Sequence, residues 1–294
     1  MLDFKRPMPG DRDTADKLYR YSRNMSLEYN FGTVFLWQNA YDIRIAVYDD
    51  MIYTGTFLNE PSFLVPCGFG DIKESIEKLS EFVHSEGKKL NFYSVTEEQR
   101  RLLEKLYPKR FEFTEDRDAA DYIYTFEGLS ELHGKKLASK RNHINRFLEE
   151  YPDAAYESIC MSNIGEIYDM HEKWCSEADY TRDGLTDESE MVRLAIRSFG
   201  EMNFTGGAIR AGGRIVAFSI GEPLNDDTFL VHIEKAFHEI NGAYAFINRE
   251  FVRHCCSDYL YINREDDNGD NGLRKAKLSY GPHIVLKKFT AAEG

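Results

Sequence analysis

Long apolar runs are missing from this chain of 294 residues, and none approaches the roughly 18 consecutive apolar positions that a membrane-crossing helix needs. The first residues, MLDFKRPMPGDRD, lack the apolar core of a signal segment. Together these absences predict a cytoplasmic protein with no stable membrane insertion. Cysteine is sparse. The five residues Cys67, Cys160, Cys175, Cys255 and Cys256 are odd in number and contain no C-x-x-C. That pattern argues against a disulfide framework and a zinc site, so reduced thiols and no metal are expected. Positive charge is also short. The 37 Lys and Arg against 50 Asp and Glu leave a net charge of -13. A surface this acidic repels nucleic acid and anionic lipid, which excludes general DNA binding but leaves room for a local basic site.

What is present is a globular composition, 42% hydrophobic and 30% charged, with a length that suits about two domains. The first half reads as a helix from about Asp11 to Met25, then a hairpin over Asp42–Phe57 turning at Asp49-Asp50. That turn lacks the glycine that favours the tightest hairpins, so its register is left open. A strand over Ser62–Pro66 follows. Asp71 is placed to cap a helix whose Ile72, Ile76, Leu79 and Val83 recur at helical spacing. Leu90–Val95 reads as a strand, Thr96-Glu97-Glu98-Gln99 as a capping box, and Phe111–Phe113 and Tyr122–Phe126 as two short strands.

The same order returns after Phe204: a hairpin over 207–221 joined at Ala211-Gly212-Gly213, a strand Thr228–Glu234, and a helix from Gly242 to about Cys255. A strand Tyr259–Asn263, a short helix Gly272–Leu278 and a strand His283–Phe289 complete it. The likeness is in the order of elements, not residue by residue. It predicts two domains, 1–127 and 128–294, the second carrying the site. Between the halves lie helices over about Ile164–Ala178, with His171, Trp174 and Cys175, and over Glu188–Phe199. No Cys–His or Ser–His–Asp arrangement can be certified from the sequence.

Two stretches carry chemistry. The loop His238–Asn241 puts a helix start at the end of a buried strand. Backbone N–H groups beyond Ala236, with the helix dipole, are expected to hold an anionic group there. The segment HGKKLASKRNHINRF, His133–Phe147, is read as one helix with Lys135, Lys136, Lys140, Arg141 and Arg146 and no acid. Five cations in so acidic a chain suit an anionic partner, the alternative being a solvated face paired with acids elsewhere.

Three segments resemble the C-terminal domain of phosphatidylglycerol lysyltransferases, within the GNAT acyltransferase superfamily. They are HGKKLASKRNHINRFLEEYPDAAYESI; GGRIVAFSIGEPL with FLVHIEKAFHEINGAYAFINREF; and YLYINREDDNGDNGLRKAKLSYGP. The resemblance implies an α+β fold of tandem GNAT-like domains, each a mixed, mostly antiparallel sheet flanked by helices. It implies transfer of an acyl group from acyl-CoA or aminoacyl-tRNA to an amine or hydroxyl acceptor. The alternative is a catalytically inactive module that binds CoA, nucleotide or tRNA. The superfamily's pyrophosphate motif, Gln/Arg-x-x-Gly-x-Gly/Ala, is not matched. Aligned on Gly242 its first and last places hold Glu239 and Tyr244, and aligned on Ala243 they hold His238 and Ala243.

Acyl transfer needs a base for the acceptor and polarisation of the carbonyl. Glu234, at the strand end, is the candidate base, with a salt bridge to Lys235 or Arg264 as its competing role. Glu265 and Asp266 follow the next strand and are expected to face the same cleft, where clustered carboxylates raise one another's pKa. The donor is expected to touch Ile233, Lys235, Ala236, Asn241, Gly242, Ala243, Tyr244 and Asn263. Lys140, Arg141, Arg274 and Lys277 are the candidate substrate contacts.

Overall fold

Asp49 and Asp50 both adopt left-handed φ, 53° and 57°. Aspartate tolerates that region better than most residues, so the two-residue turn closes without glycine. The strands it joins, β1 (Ile43–Tyr48) and β2 (Met51–Thr56), pair from Tyr48↔Met51 to Ile43↔Thr56. The computed structural model describes residues 2–177 and 185–294. The chain divides into two units, Met1–Asp121 with Asp266–Asp270 and Val285–Gly294, and Tyr122–Glu265 with Asn271–Ile284.

The first unit begins with α1 (Arg12–Tyr21), α2 (Phe31–Leu36) and α3 (Gln38–Tyr41), ahead of β1 and β2. Next come β3 (Ser62–Phe63), β4 (Cys67–Gly68), α4 (Ile72–Ser85), β5 (Asn91–Thr96), α5 (Glu97–Leu106) and β6 (Phe111–Thr125). Asp71 caps α4 through the Glu74 N–H at 2.9 Å, and Thr96 with Gln99 forms the capping box of α5, as the sequence predicts. Ile76, Leu79 and Val83 of α4 pack on Phe63, Phe92 and Val95 in the core.

The second unit continues with α6 (Phe126–Glu131), α7 (Ala138–Glu150), β7 (Ala155–Ser158), α8 (Ile164–Glu177) and α9 (Leu185–Arg197). It then runs through β8 (Thr205–Ala211), β9 (Arg214–Pro223), β10 (Thr228–Ala236), α10 (Ala243–Cys255), β11 (Tyr261–Asn263) and α11 (Asn271–Leu278). The last strand, β12 (Ile284–Glu293), lies between β5 and β6 in the first unit's sheet.

Each unit contains one wiring. In the first, the β1–β2 hairpin is followed by β3 antiparallel to β2, then by α4, then by β5 parallel to β3. In the second, the β8–β9 hairpin is followed by β10 antiparallel to β9, then by α10, then by β11 parallel to β10. The fold is α+β: the same wiring occurs in both units, each a mixed and mostly antiparallel sheet flanked by helices.

Two expectations are corrected. The two short strands expected at 111–113 and 122–126 are one strand of 15 residues, whose last residues Ile123–Thr125 pair with β11. Its charged middle, Glu115 to Asp118, hid it from any apolar alternation. The basic helix begins at Ala138, so Lys135 and Lys136 precede it and only Lys140, Arg141 and Arg146 lie on it. The predicted end of the following helix, Ala178, lies outside the described residues.

Candidate functional site

The parallel ladder between β10 and β11 is short. It holds Thr228↔Tyr261, Phe229↔Ile262 and Leu230↔Asn263, after which β10 runs on to Ala236 without it. Glu234 and Arg264 lie beyond that end. Arg264 Nη2 donates to Glu234 Oε1 at 2.8 Å, and Asn248 Nδ2 of α10 donates to Oε2 at 2.8 Å. Both oxygens of the candidate base are therefore engaged, and its competing role, an ion pair with Arg264, is the one observed.

Aromatic rings hold Arg264 in place. Its guanidinium lies over Tyr280 at 4.9 Å and Tyr124 at 5.6 Å, while Lys277 Nζ donates to its carbonyl oxygen at 2.6 Å. Burial works to lower the Arg264 pKa, but Glu234 and the two tyrosines outweigh it and the net shift is upward. Lys140 of α7 places its Nζ 4.1 Å from the Tyr280 ring centroid. Its pKa is lowered, first by burial and then by Arg264, with Glu234 opposing. Burial lifts the Tyr280 hydroxyl to about 12.

Several amides of the stretch beyond Ala236, where an anionic group is expected, are met by the chain itself. The Tyr244 hydroxyl is in hydrogen-bonding contact with the Ala236 backbone. The Phe237 N–H goes to the Val216 carbonyl at 3.1 Å, Ile240 to Phe237 at 3.2 Å and Ala243 to Ile240 at 3.2 Å. Gly242 has φ 89°, and a Cβ there would collide with the His143 carbonyl oxygen of α7. His143 Nδ1 also meets Asn241 Oδ1 at 2.9 Å. Thus α7 sits on the loop expected to hold the donor's anionic group.

The other candidates have separate employment. Ile233 accepts from Ser219 Oγ through its carbonyl at 2.8 Å. Lys235 pairs with Glu188 at 2.6 Å and lies 4.0 Å from the Trp174 ring centroid. Asn263 Oδ1 accepts from the Glu265 N–H at 2.7 Å. Arg141 donates to the carbonyls of Leu132 and Gly134, tying down the loop before α7. Arg274 is partly buried on α11 and Lys277 is buried. Asp266 belongs to the first unit, where its charge acts on Lys288. Glu234, Glu265 and Asp266 thus take three different partners, not the shared cleft expected of them.

Glu265, with φ 59°, meets His232 Nδ1 at 3.0 Å, while His232 Nε2 meets Glu222 at 3.0 Å. A neutral imidazole has one N–H, so two carboxylate partners require either an imidazolium or a protonated carboxyl. His232 sits where the β9–β10 register shifts, between Val231 and Ile233. Sequence reasoning missed this residue. Its only signal was a histidine inside an otherwise apolar strand, TFLVHIEKA. Asn248, one of several polar positions on an amphipathic helix, gave none.

Comparison with known proteins places these features in context. The family model described as "Phosphatidylglycerol lysyltransferase, C-terminal" matches residues 20–292. A conserved protein of unknown function from Bacteroides thetaiotaomicron VPI-5482 is 40% identical, with TM-score 0.96 over 100% of both chains. L-PGS from Bacillus licheniformis shares the fold at TM-score 0.70 and 15% identity, over 98% of this chain and 93% of that one. The C-terminal domain of a lysylphosphatidylglycerol synthetase from Agrobacterium fabrum does so at TM-score 0.69 and 13% identity, over 97% and 92%. A curated protein from Mycoplasmoides gallisepticum is 24% identical over 178 residues, 58% of this chain, which spans just over half, 55%, of that relative.

Proposed function

Because this chain belongs to the family of phosphatidylglycerol lysyltransferase C-terminal domains, we propose that it is a transferase that moves an aminoacyl group from aminoacyl-tRNA to an amine or hydroxyl acceptor. The second unit carries the site. The observation that supports this donor over acyl-CoA is the placement of α7: its backbone at His143 abuts Gly242, while Lys140 reaches the Tyr280 ring. A carbonyl oxygen against the loop disfavours a pyrophosphate there, and cations beside Arg264 favour a polyanion. Lys135, Lys136 and Arg146, all exposed, extend the cationic surface. In this reading Glu234 orients Arg264, and Arg264 with Lys140 holds the negative part of the donor. Asn248, with one oxygen unpartnered among the described residues, is positioned to touch the group being transferred.

A second reading, a module that binds such a carrier without catalysis, is favoured by one feature: both oxygens of Glu234 are engaged. Thermal unfolding with bulk tRNA, CoA and acetyl-CoA tests the donor. Bulk tRNA is expected to raise Tm, with CoA and acetyl-CoA giving no shift. Lys140→Glu with Arg141→Glu is expected to weaken tRNA binding at least tenfold, more at low salt. A shift with acetyl-CoA alone overturns the proposal.

A further inference from the structure

Two cations share one aromatic ring in the second unit. Lys140 Nζ lies 4.1 Å from the Tyr280 centroid and the Arg264 guanidinium 4.9 Å from it. Like charges this close repel unless something answers them. One carboxylate does: Glu234, bonded to Arg264 at 2.8 Å, its other oxygen taken by Asn248. Among the described residues Lys140 has no carboxylate partner, and Arg264 Nη1 is buried with no hydrogen-bond partner. A buried donor left unmet costs free energy. The Lys140 pKa is lowered, first by burial and then by Arg264, and Glu234 only partly offsets them. A fold does not gather such charge for its own stability.

We propose that Lys140, Arg264 and the Tyr280 ring form a seat for one monoanionic oxyanion of the phosphodiester class. Two cations against one carboxylate leave a single positive charge, which matches a phosphodiester and not a dianionic phosphate monoester. The two donors come from separate elements, α7 and the end of β11. They suit a tetrahedral group with two free oxygens, one for the ammonium and one for the guanidinium edge. The seat deepens the proposed function by fixing where a polyanionic carrier or a phosphodiester acceptor is gripped, and it rests on that reading only for its purpose.

The test uses the whole chain and thermal unfolding. Dimethyl phosphate is the bare probe, acetate the monoanion control, and a dinucleoside monophosphate and a glycerophosphodiester are the two larger sources. Lys140→Met removes the charge and keeps the stem, and Lys89→Met, at an exposed lysine of the first unit, is the control. Near-saturating dimethyl phosphate is expected to raise the wild-type Tm by about 2–4 °C and to leave Lys140→Met unmoved. Without ligand, Lys140→Met is expected to melt higher than wild type, because the repulsion with Arg264 is gone. Lys89→Met is expected to match wild type in both. Whichever larger diester binds more tightly than dimethyl phosphate identifies the source. A Lys140→Met protein that melts lower than wild type, or still responds to the diester, overturns the seat. So does an equal response to acetate. Diester binding without aminoacyl transfer would leave the seat standing and remove the transferase, whereas transfer that survives Lys140→Met with unchanged KM would do the reverse.

Discussion

Lys288 has no exposed side-chain surface, yet it carries a charge. Its Nζ lies 2.7 Å from Asp121 and 2.8 Å from Glu28, whose oxygens also accept from Ser94 and Ser26. Burial alone would raise the Glu28 pKa, but Lys288 and the two serines outweigh it and hold it below its ordinary 4.5. A carboxylate depressed on folding adds stability above its unfolded pKa, and that stability is lost as pH falls through the folded value. Lys288→Met would strand two buried carboxylates, at a cost of about 3–5 kcal/mol. Chemical denaturation at pH 7 is expected to show that loss. As pH falls through the lowered Glu28 pKa and its carboxylate takes up a proton, the gap should shrink. A constant difference across pH would show that Lys288 acts through packing. None of this was legible in the sequence, because Glu28 and Asp121 stand 260 and 167 positions from Lys288 and only the sheet joins them. The Glu234–Arg264 pair was half legible: Arg264 was one of two named partners, and nothing local could choose between it and Lys235.

At the scale of elements, what was written locally was read. The α4 cap and the α5 capping box need only neighbours three residues apart, and both form as the residue types dictate. The 15 residues of β6 were misread because a strand's register partners, not its own charged middle, keep it extended. The donor loop was legible only as a turn. Its glycine signalled a turn, but not that α7 would fill the space beside it. Gly242→Ala tests that packing. The left-handed φ of 89° costs an L-residue about 1–2 kcal/mol. The collision with the His143 carbonyl must also displace α7. Urea unfolding is expected to show a loss beyond the conformational cost alone, with weaker tRNA binding because Lys140 moves with its helix. Wild-type affinity in a destabilised Gly242→Ala would separate α7 from the site.

At the scale of the whole molecule, tandem order was legible and strand exchange was not. Hairpin, third strand, helix and parallel strand recur in both halves, as the spacing of apolar runs predicts. The chain then sends its last strand, Ile284–Glu293, to pair with β5, and the end of β6 to pair with β11. Apolar patterning fixes that these segments are strands but says nothing of which sheet receives them. The division at 127 and 128 remains our proposal for how the chain is organised in sequence, while the two units exchange segments across it. The fold places Lys140, Arg264, Glu234 and Asn248 together in one unit, and the account stands on what that group does to a charged carrier. The most direct test follows the aminoacyl ester itself. A radiolabelled aminoacyl-tRNA pool is incubated with the protein and with acceptors bearing amines or hydroxyls. The account predicts ester loss in proportion to protein, with label appearing on one acceptor class and the rate falling at least tenfold in Lys140→Glu with Arg141→Glu. An ester lifetime equal to the protein-free control with every acceptor, while tRNA binding is intact, would contradict it.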